Sequence, residues 1–282
     1  MKLIKLIIIS VFVLGSVALF ASFDDYEPSA RARGMGGAFY SVSNDANAVF
    51  YNPAGLQFAG NGIVGNYTKL FGNDFQVLSA IGLSMNLPKK FGTLGIGLQA
   101  LDVTYMDVTL TSEKTYSLNH AITIMKDYHS ELHFGYSLNM YHLSFSGFGS
   151  QTTVGVNVGA LAVLHQRTKL GFTVTNVNNP SVGDDFTQDL PQKMTIALAY
   201  EPYYGVTTAL ELKKSFDRDE TEIHAGTEFE ILQGFVLRTG IRNHPASYSA
   251  GLGLNVKNIL VDYAYSTHEI GGTHHFSIGY KY

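Results

Sequence analysis

The chain contains no cysteine. That excludes a disulfide framework, and it excludes a lipidated cysteine at the end of an export leader, so the protein is not a lipoprotein. Charge is scarce: Asp, Glu, Lys and Arg make up 15% of the 282 residues, where about 25% is ordinary for a soluble domain. What charge there is sums to a formal −4 and is spread along the sequence, leaving no basic face for a nucleic acid. Long apolar runs are also missing after residue 21, so no later segment reads as a spanning helix, which needs roughly 18 or more apolar residues.

The one apolar run lies at the start. Lys2 and Lys5 precede an apolar stretch over residues 6–20, closed by Ala21 and Ser22. Positive start, short apolar middle and small-residue end are the layout of a secretory signal peptide, and the stretch falls short of the roughly 20 residues of a membrane helix. We expect residues 1–21 to be a signal peptide cleaved after Ala21, with Leu19 three positions earlier, rather than a retained anchor. If the rest of the chain meets a membrane, it does so as strands.

Glycine is abundant at 29, with 17 tyrosines and 18 phenylalanines. From about Gly62 these residues fall into short segments that alternate apolar with small or polar side chains, the period of a strand with two different faces. At the end of the chain Phe276, Ile278, Tyr280 and Tyr282 alternate with His275, Ser277, Gly279 and Lys281. Ile259, Val261, Tyr263 and Tyr265 alternate with Asn258, Leu260, Asp262 and Ala264. The same count predicts strands near 62–71, 75–87, 92–107, 115–127, 131–145, 152–164, 168–177, 192–202, 206–215, 221–231, 234–243, 247–256, 258–266 and 273–282.

The connections show a second regularity. Barrels of bacterial outer membranes keep both chain ends in the periplasm, with short turns there and longer loops outside. The even-numbered connections, at 88–91, 127–129, 165–167, 202–205, 232–234 and 257, are tight; most odd ones, notably 178–190, 215–220 and 267–272, are longer and polar. The expected fold is an all-β transmembrane antiparallel up-and-down barrel of about 14 strands over residues 62–282.

Residues 22–61 read differently. Asn44 or Asp45 can cap a short helix over residues 46–51, which Pro53 and Gly55 would terminate. Gly34, Gly36 and Gly37 read as a backbone turn; no buried strand precedes them and the spacing is wrong for a phosphate-cradling loop. With Asn52, which can hydrogen-bond across a turn, these residues describe a compact plug or hatch at the periplasmic mouth.

The run Gly34-Met-Gly-Gly37, then Asn44-Asp-Ala, then Tyr51-Asn-Pro-Ala-Gly-Leu56, resembles the N-terminal signature of the FadL-type hydrophobic-compound transporters, and more closely the related PorV/PorQ-like outer-membrane proteins. Stretches such as Gly171-Phe-Thr-Val-Thr-Asn176, Leu237-Arg-Thr-Gly-Ile-Arg242 and Leu260-Val-Asp-Tyr-Ala-Tyr265 are similar to that branch's second half. The resemblance implies a fourteen-stranded barrel with the N-terminal segment inside as a hatch. It implies either passage of small hydrophobic compounds or an accessory role in type IX secretion and surface attachment, with secreted proteins as partners. The chain departs from the transporters in its outer loops, which are short and polar where theirs are long and carry an apolar capture groove.

Alternation places Glu211, Lys213, Glu222, His224, Glu228, Glu230, Arg238 and Arg242 on one face of three neighbouring strands. There carboxylates and guanidinium groups can pair as a ladder that braces the wall and holds the hatch; the other reading is a ligand-carboxylate site at Arg238 and Arg242. His274 and His275 point to opposite faces of a regular strand, so no metal site is expected. Ser137, Ser144, His133 and His142 have no spacing that marks a nucleophile and its base, so neither an enzyme nor a cofactor is expected. Phe276, Ile278, Tyr280 and Tyr282 resemble the terminal signal read by the barrel-assembly machinery, and the last strand must pair with the first to close the wall. The expected surroundings are outer-membrane lipids and the barrel is expected to be a monomer.

Overall fold

The computed structural model describes residue 23 and residues 26–88, 90–147, 149–183 and 187–282; the expected signal peptide lies outside them. Alternating sequence becomes strand in fourteen places: β1 (Gly62–Lys69), β2 (Gln76–Asn86), β3 (Thr93–Tyr105), β4 (Val108–Lys126), β5 (Ser130–Phe145), β6 (Gly149–Leu164), β7 (Thr168–Thr175), β8 (Lys193–Tyr203), β9 (Val206–Ser215), β10 (Thr221–Leu232), β11 (Phe235–Arg242), β12 (Ser247–Val256), β13 (Ile259–Ser266) and β14 (Thr273–Lys281). Each pairs antiparallel with its sequence neighbour, and β1 pairs with β14 from Gly62↔Lys281 to Lys69↔His274, closing the barrel. Closure leaves no edge with unpaired backbone groups, the condition for strands to cross a bilayer.

The two faces differ as the period-two pattern requires. Outward lie Leu198, Leu252, Val261, Phe276 and Ile278, all exposed. Inward lie Asn119, Glu211, His224, His275 and Ser277, all buried. An apolar exterior around a polar interior is stable only if lipid is the outer solvent. Leu252→Arg, near the middle of β12 on the outward face, should cost about 2–4 kcal/mol; denaturant unfolding from lipid vesicles measures it.

One strand boundary differs from expectation by more than three residues. Strand β4 starts at Val108 rather than near 115, and Met106 and Asp107, both at positive φ, form a two-residue turn where a long loop was expected. With 19 residues in β4 and 16 each in β5 and β6, this wall far exceeds the roughly 9–11 residues that cross a bilayer. Its excess rises at the end away from the chain termini. There the apolar alternation stops after Val108 and Leu110 and gives way to Ser112, Glu113 and Lys114, too short a run to betray a strand.

Within 178–190 the chain makes a small ribbon, Ser181–Val182 paired with Gln188–Asp189. Val182 and Leu190 pack with Tyr141, Leu143 and Phe23, so this loop folds over the outer mouth.

A fourteen-stranded wall encloses more space than its own side chains fill, since eight strands already suffice for that. The segment 26–61 occupies it. One helical turn, α1 (Ala30–Gly34), is capped by Ser29, whose Oγ accepts the Ala32 N–H at 3.3 Å. Asp45 caps a 3-10 helix over Ala46–Phe50, its Oδ1 taking the Asn47 N–H at 2.8 Å. Pro53 and Gly55 do not simply end that element. They open a second 3-10 helix, Pro53–Phe58, capped by Asn52, because proline's fixed φ and missing N–H suit a first helical position.

Candidate functional site

The hatch is seated by close approach of backbone to backbone. Gly226 on β10 and Gly240 on β11 are cross-strand partners, and a Cβ on either would stand 2.2 Å from backbone atoms of Met35 or Gly36. Gly36 itself has φ +67°, a region that favours glycine. Met35, Ala38 and Phe39 are buried against the wall alanines Ala197, Ala199 and Ala209. On the far side Val49 and Leu56 pack with Ala121.

Charge then fixes the register. Arg31 on α1 holds both oxygens of Glu228, each at 2.9 Å, and reaches Asn44 at 2.6 Å and Asp45 at 3.2 Å. Glu228 also accepts from Arg238 Nε at 2.6 Å, and Arg238 Nη1 donates to Asp262 at 2.7 Å. Lys213 pairs with Glu27 at 2.6 Å, both almost fully buried. Glu211 Oε2 accepts the Phe39 and Tyr40 N–H groups, each at 3.2 Å. Bidentate and charge-assisted bonds of this kind carry geometry as well as energy.

The structure therefore brings Glu211, Lys213, Glu228 and Arg238 together, largely through hatch residues rather than across the wall alone. Glu222 pairs with His224 at 3.1 Å, and Arg242 stands opposite His224 in register. Glu230 sits apart, at the rim on the side of the chain termini, where its Oε1 takes the Gly234 N–H at 2.9 Å. Glu27, Arg31 and Asp262 belong to the network and were not singled out from the sequence. Two arginines in a stretch of small residues at 30–34 were the available sign, since a charge in a buried segment requires a partner.

Among the hatch motif residues, Gly34 lies against Arg238 and Gly251, and Gly55 against Ser43. Asn52, fully buried, has the most contacts: its Oδ1 accepts the Ala54 N–H at 3.1 Å, and its Nδ2 donates to Tyr40 O at 3.0 Å and Ala160 O at 3.2 Å. Asn52→Ala loses a cap, worth about 1 kcal/mol, and takes the side-chain donor from the buried Tyr40 carbonyl at roughly 1–3 kcal/mol. Faster hydrogen exchange over 46–58 than over the strands is the expected result.

Above the hatch, on the side away from the chain termini, the lumen holds a cavity of about 110 Å³. Phe23, Tyr26, Tyr40 and Phe50 meet there with Gln99, Ser117, Asn139 and Asn157 from the wall. Tyr141 OH donates to Asn176 Oδ1 at 2.9 Å and Asn176 Nδ2 to Pro191 O at 2.9 Å, which ties the folded-over loop to the cavity wall. At the outer rim His268 stacks near Phe71, ring centres 4.6 Å apart; its partial burial and then the nearby Arg242 hold its pKa below the ordinary histidine range.

His274 and His275 lie on opposite faces, bonded to Tyr263 and to Thr68 and Ser266 respectively. Among the described residues there is no group of three metal-ligating side chains. Ser137 is within 3.3 Å of Asn139, and His133 bonds Thr123 and Glu131.

No protein-family model matches the chain, and no curated protein is similar to it in sequence. Solved structures are similar to it in fold. A FadL homologue of Pseudomonas aeruginosa superposes with a TM-score of 0.62 at 13% identity, over 93% of this chain and 100% of that one. The toluene transporter TbuX of Ralstonia pickettii gives 0.62 at 11% identity, over 91% and 98%. The toluene transporter TodX of Pseudomonas putida gives 0.59 at 16% identity, over 92% and 98%. The fold is thus the closed fourteen-stranded FadL-like barrel.

Proposed function

We propose that this FadL-like barrel sits in the outer membrane of a Gram-negative-type bacterium and passes small hydrophobic compounds across it without covalent chemistry. The observation that carries this reading is the division of the lumen. A hatch seated on glycines and ion pairs blocks the periplasmic half, and a cavity lined by both aromatic and polar side chains remains on the outer side of it. A compound resting in that cavity reaches the periplasm, or leaves sideways into the bilayer, when residues 44–56 shift.

The likeness to two toluene transporters supports the reading through the fold they share. Short outer loops and the ribbon over the mouth remove the surface groove by which a long lipid would first be captured, so the compounds in question are small. The terminal stripe of Phe276, Ile278, Tyr280 and Tyr282 faces outward and serves, in this reading, as the assembly signal. The finer placement beside PorV and PorQ rests on the motif at 34–56, and it carries the alternative role of a secretion accessory.

Mass spectrometry of the barrel extracted from its own membrane in mild detergent separates the two. A small apolar compound at near-stoichiometric level supports passage. A persistent protein partner with an empty lumen contradicts it and favours the accessory role.

A further inference from the structure

We propose that the lumen cavity selects a single six-membered ring bearing a hydroxyl group, a phenol-class compound, over the unsubstituted hydrocarbon. This rests on the passage reading and names the substrate class of the same site. Size comes first. The volume of about 110 Å³ is of the order of the cavity of about 150 Å³ that takes benzene in a dry protein core, which admits one ring and excludes a long acyl chain.

Polarity decides the substituent. Asn139, 3% exposed, spends its Nδ2 on Ser137 and Tyr141 while its Oδ1 meets no hydrogen-bond donor among the described residues. Ser117, 6% exposed, has no hydrogen-bond partner there. Gln99 gives its Nε2 to Tyr26 O at 3.0 Å, which leaves its Oε1, and Asn157 accepts from the Asn176 N–H at 2.8 Å, which leaves its Nδ2. All four line the cavity together with the rings of Tyr40 and Phe50; Glu27, Glu113 and Lys193 line it too and are already partnered, Glu27 by Lys213 and Glu113 by the Phe23 N–H at 2.7 Å.

The wall thus offers two amide oxygens as acceptors, one amide nitrogen as donor and one hydroxyl that does either. A phenolic hydroxyl donates its one proton to either amide oxygen and accepts from the amide nitrogen or the serine hydroxyl, while its ring packs against the aromatic side chains. Toluene fits the rings and leaves buried Ser117 and Asn139, and half-buried Gln99 and Asn157, without a ligand partner, and a site built to bond a hydroxyl rejects the analogue without it.

Fluorine NMR on the barrel in lipid nanodiscs tests this, with 4-fluorophenol and 4-fluorotoluene as probes and empty nanodiscs to subtract partition into lipid. The expected result is binding of 4-fluorophenol tighter by about tenfold or more, a preference that Asn139→Leu erases. Ser117→Ala, a smaller change, should weaken the preference if Asn139→Leu fails to fold. Equal or tighter binding of 4-fluorotoluene to the native barrel overturns the proposed selectivity and leaves passage standing, as does a preference untouched by both substitutions. Binding of neither probe above the empty nanodiscs overturns the passage reading as well.

Discussion

Gly240→Val is expected to unseat the hatch and turn a closed barrel into a conducting one. The inward side of β11 at this point touches the hatch backbone itself: an added Cβ stands 2.2 Å from Gly36 N and Met35 C. Overpacking a core that can readjust costs about 1–3 kcal/mol. Here the contact is between two backbones, and the neighbouring Gly226 already lies under Met35 O, so the cost falls at the upper end. The wall keeps its own ladder, because β10 and β11 pair through backbone groups that a side chain on the inner face does not reach. Single-channel conductance in planar bilayers should rise from a closed baseline, with heat-modifiable mobility in gels showing that the barrel still folds. Gly65→Ala, whose Cβ meets nothing nearer than Ile278 at 4.0 Å, should leave conductance unchanged. A folded Gly240→Val barrel that stays closed contradicts the seating.

The second large effect is expected at Glu228. Its carboxylate stands between Arg31 of the hatch and Arg238 of the wall, with distances of 2.6–2.9 Å to both. Glu228→Ala removes the carboxylate that two guanidinium groups share, leaving Arg31 with Asp45 and Arg238 with Asp262, so the cost approaches but does not exceed the roughly 3–5 kcal/mol of a fully broken buried pair. Asp262→Ala removes one partner of Arg238, which retains Glu228, so its effect is smaller. Trypsin is the probe, since it cuts after Arg31 and Arg33, which are largely shielded by the barrel (15% and 12% exposed side chains). Cleavage should become rapid in Glu228→Ala, intermediate in Asp262→Ala and slow in the native protein.

The wall was readable from the sequence because lipid on one side and hatch on the other impose alternation residue by residue, as at Ile259 to Tyr265. Where a strand leaves the membrane that pressure ends, and Val108 to Lys114 went unread. The cap was legible as Asn44 or Asp45 because a cap is a local event within three residues, whereas Asn52, read as a turn residue, caps the second 3-10 helix. The role of Pro53 was misjudged since proline both stops one helix and starts the next, and sequence alone does not say which. Helix α1 gave no signal, being a single turn of small residues.

The wall half of the ion network was legible from period two, which put Glu211, Lys213, Glu228 and Arg238 on one face. Its hatch half was not. Arg31 meets Glu228 across 197 residues and Glu27 meets Lys213 across 186, separations that no local pattern encodes. The cavity was likewise hidden, because Ser117, Asn139 and Asn157 look like ordinary lumen lining until the hatch covers everything below them.

A reversible lock between hatch and wall tests most directly whether passage needs the hatch to move. A Cβ on Gly34 lies 3.3 Å from Arg238 Cβ, a few tenths of an ångström under the roughly 3.5–4.5 Å of disulfides and so reached by a small backbone shift, and the chain has no other cysteine to interfere. The double variant Gly34→Cys, Arg238→Cys would be placed in the outer membrane of living cells and its uptake of radiolabelled toluene and phenol followed oxidised and then reduced, so the same protein is its own control. A hatch that gates passage predicts oxidised uptake no greater than in cells without the barrel, restored by dithiothreitol; equal uptake in both states would contradict it.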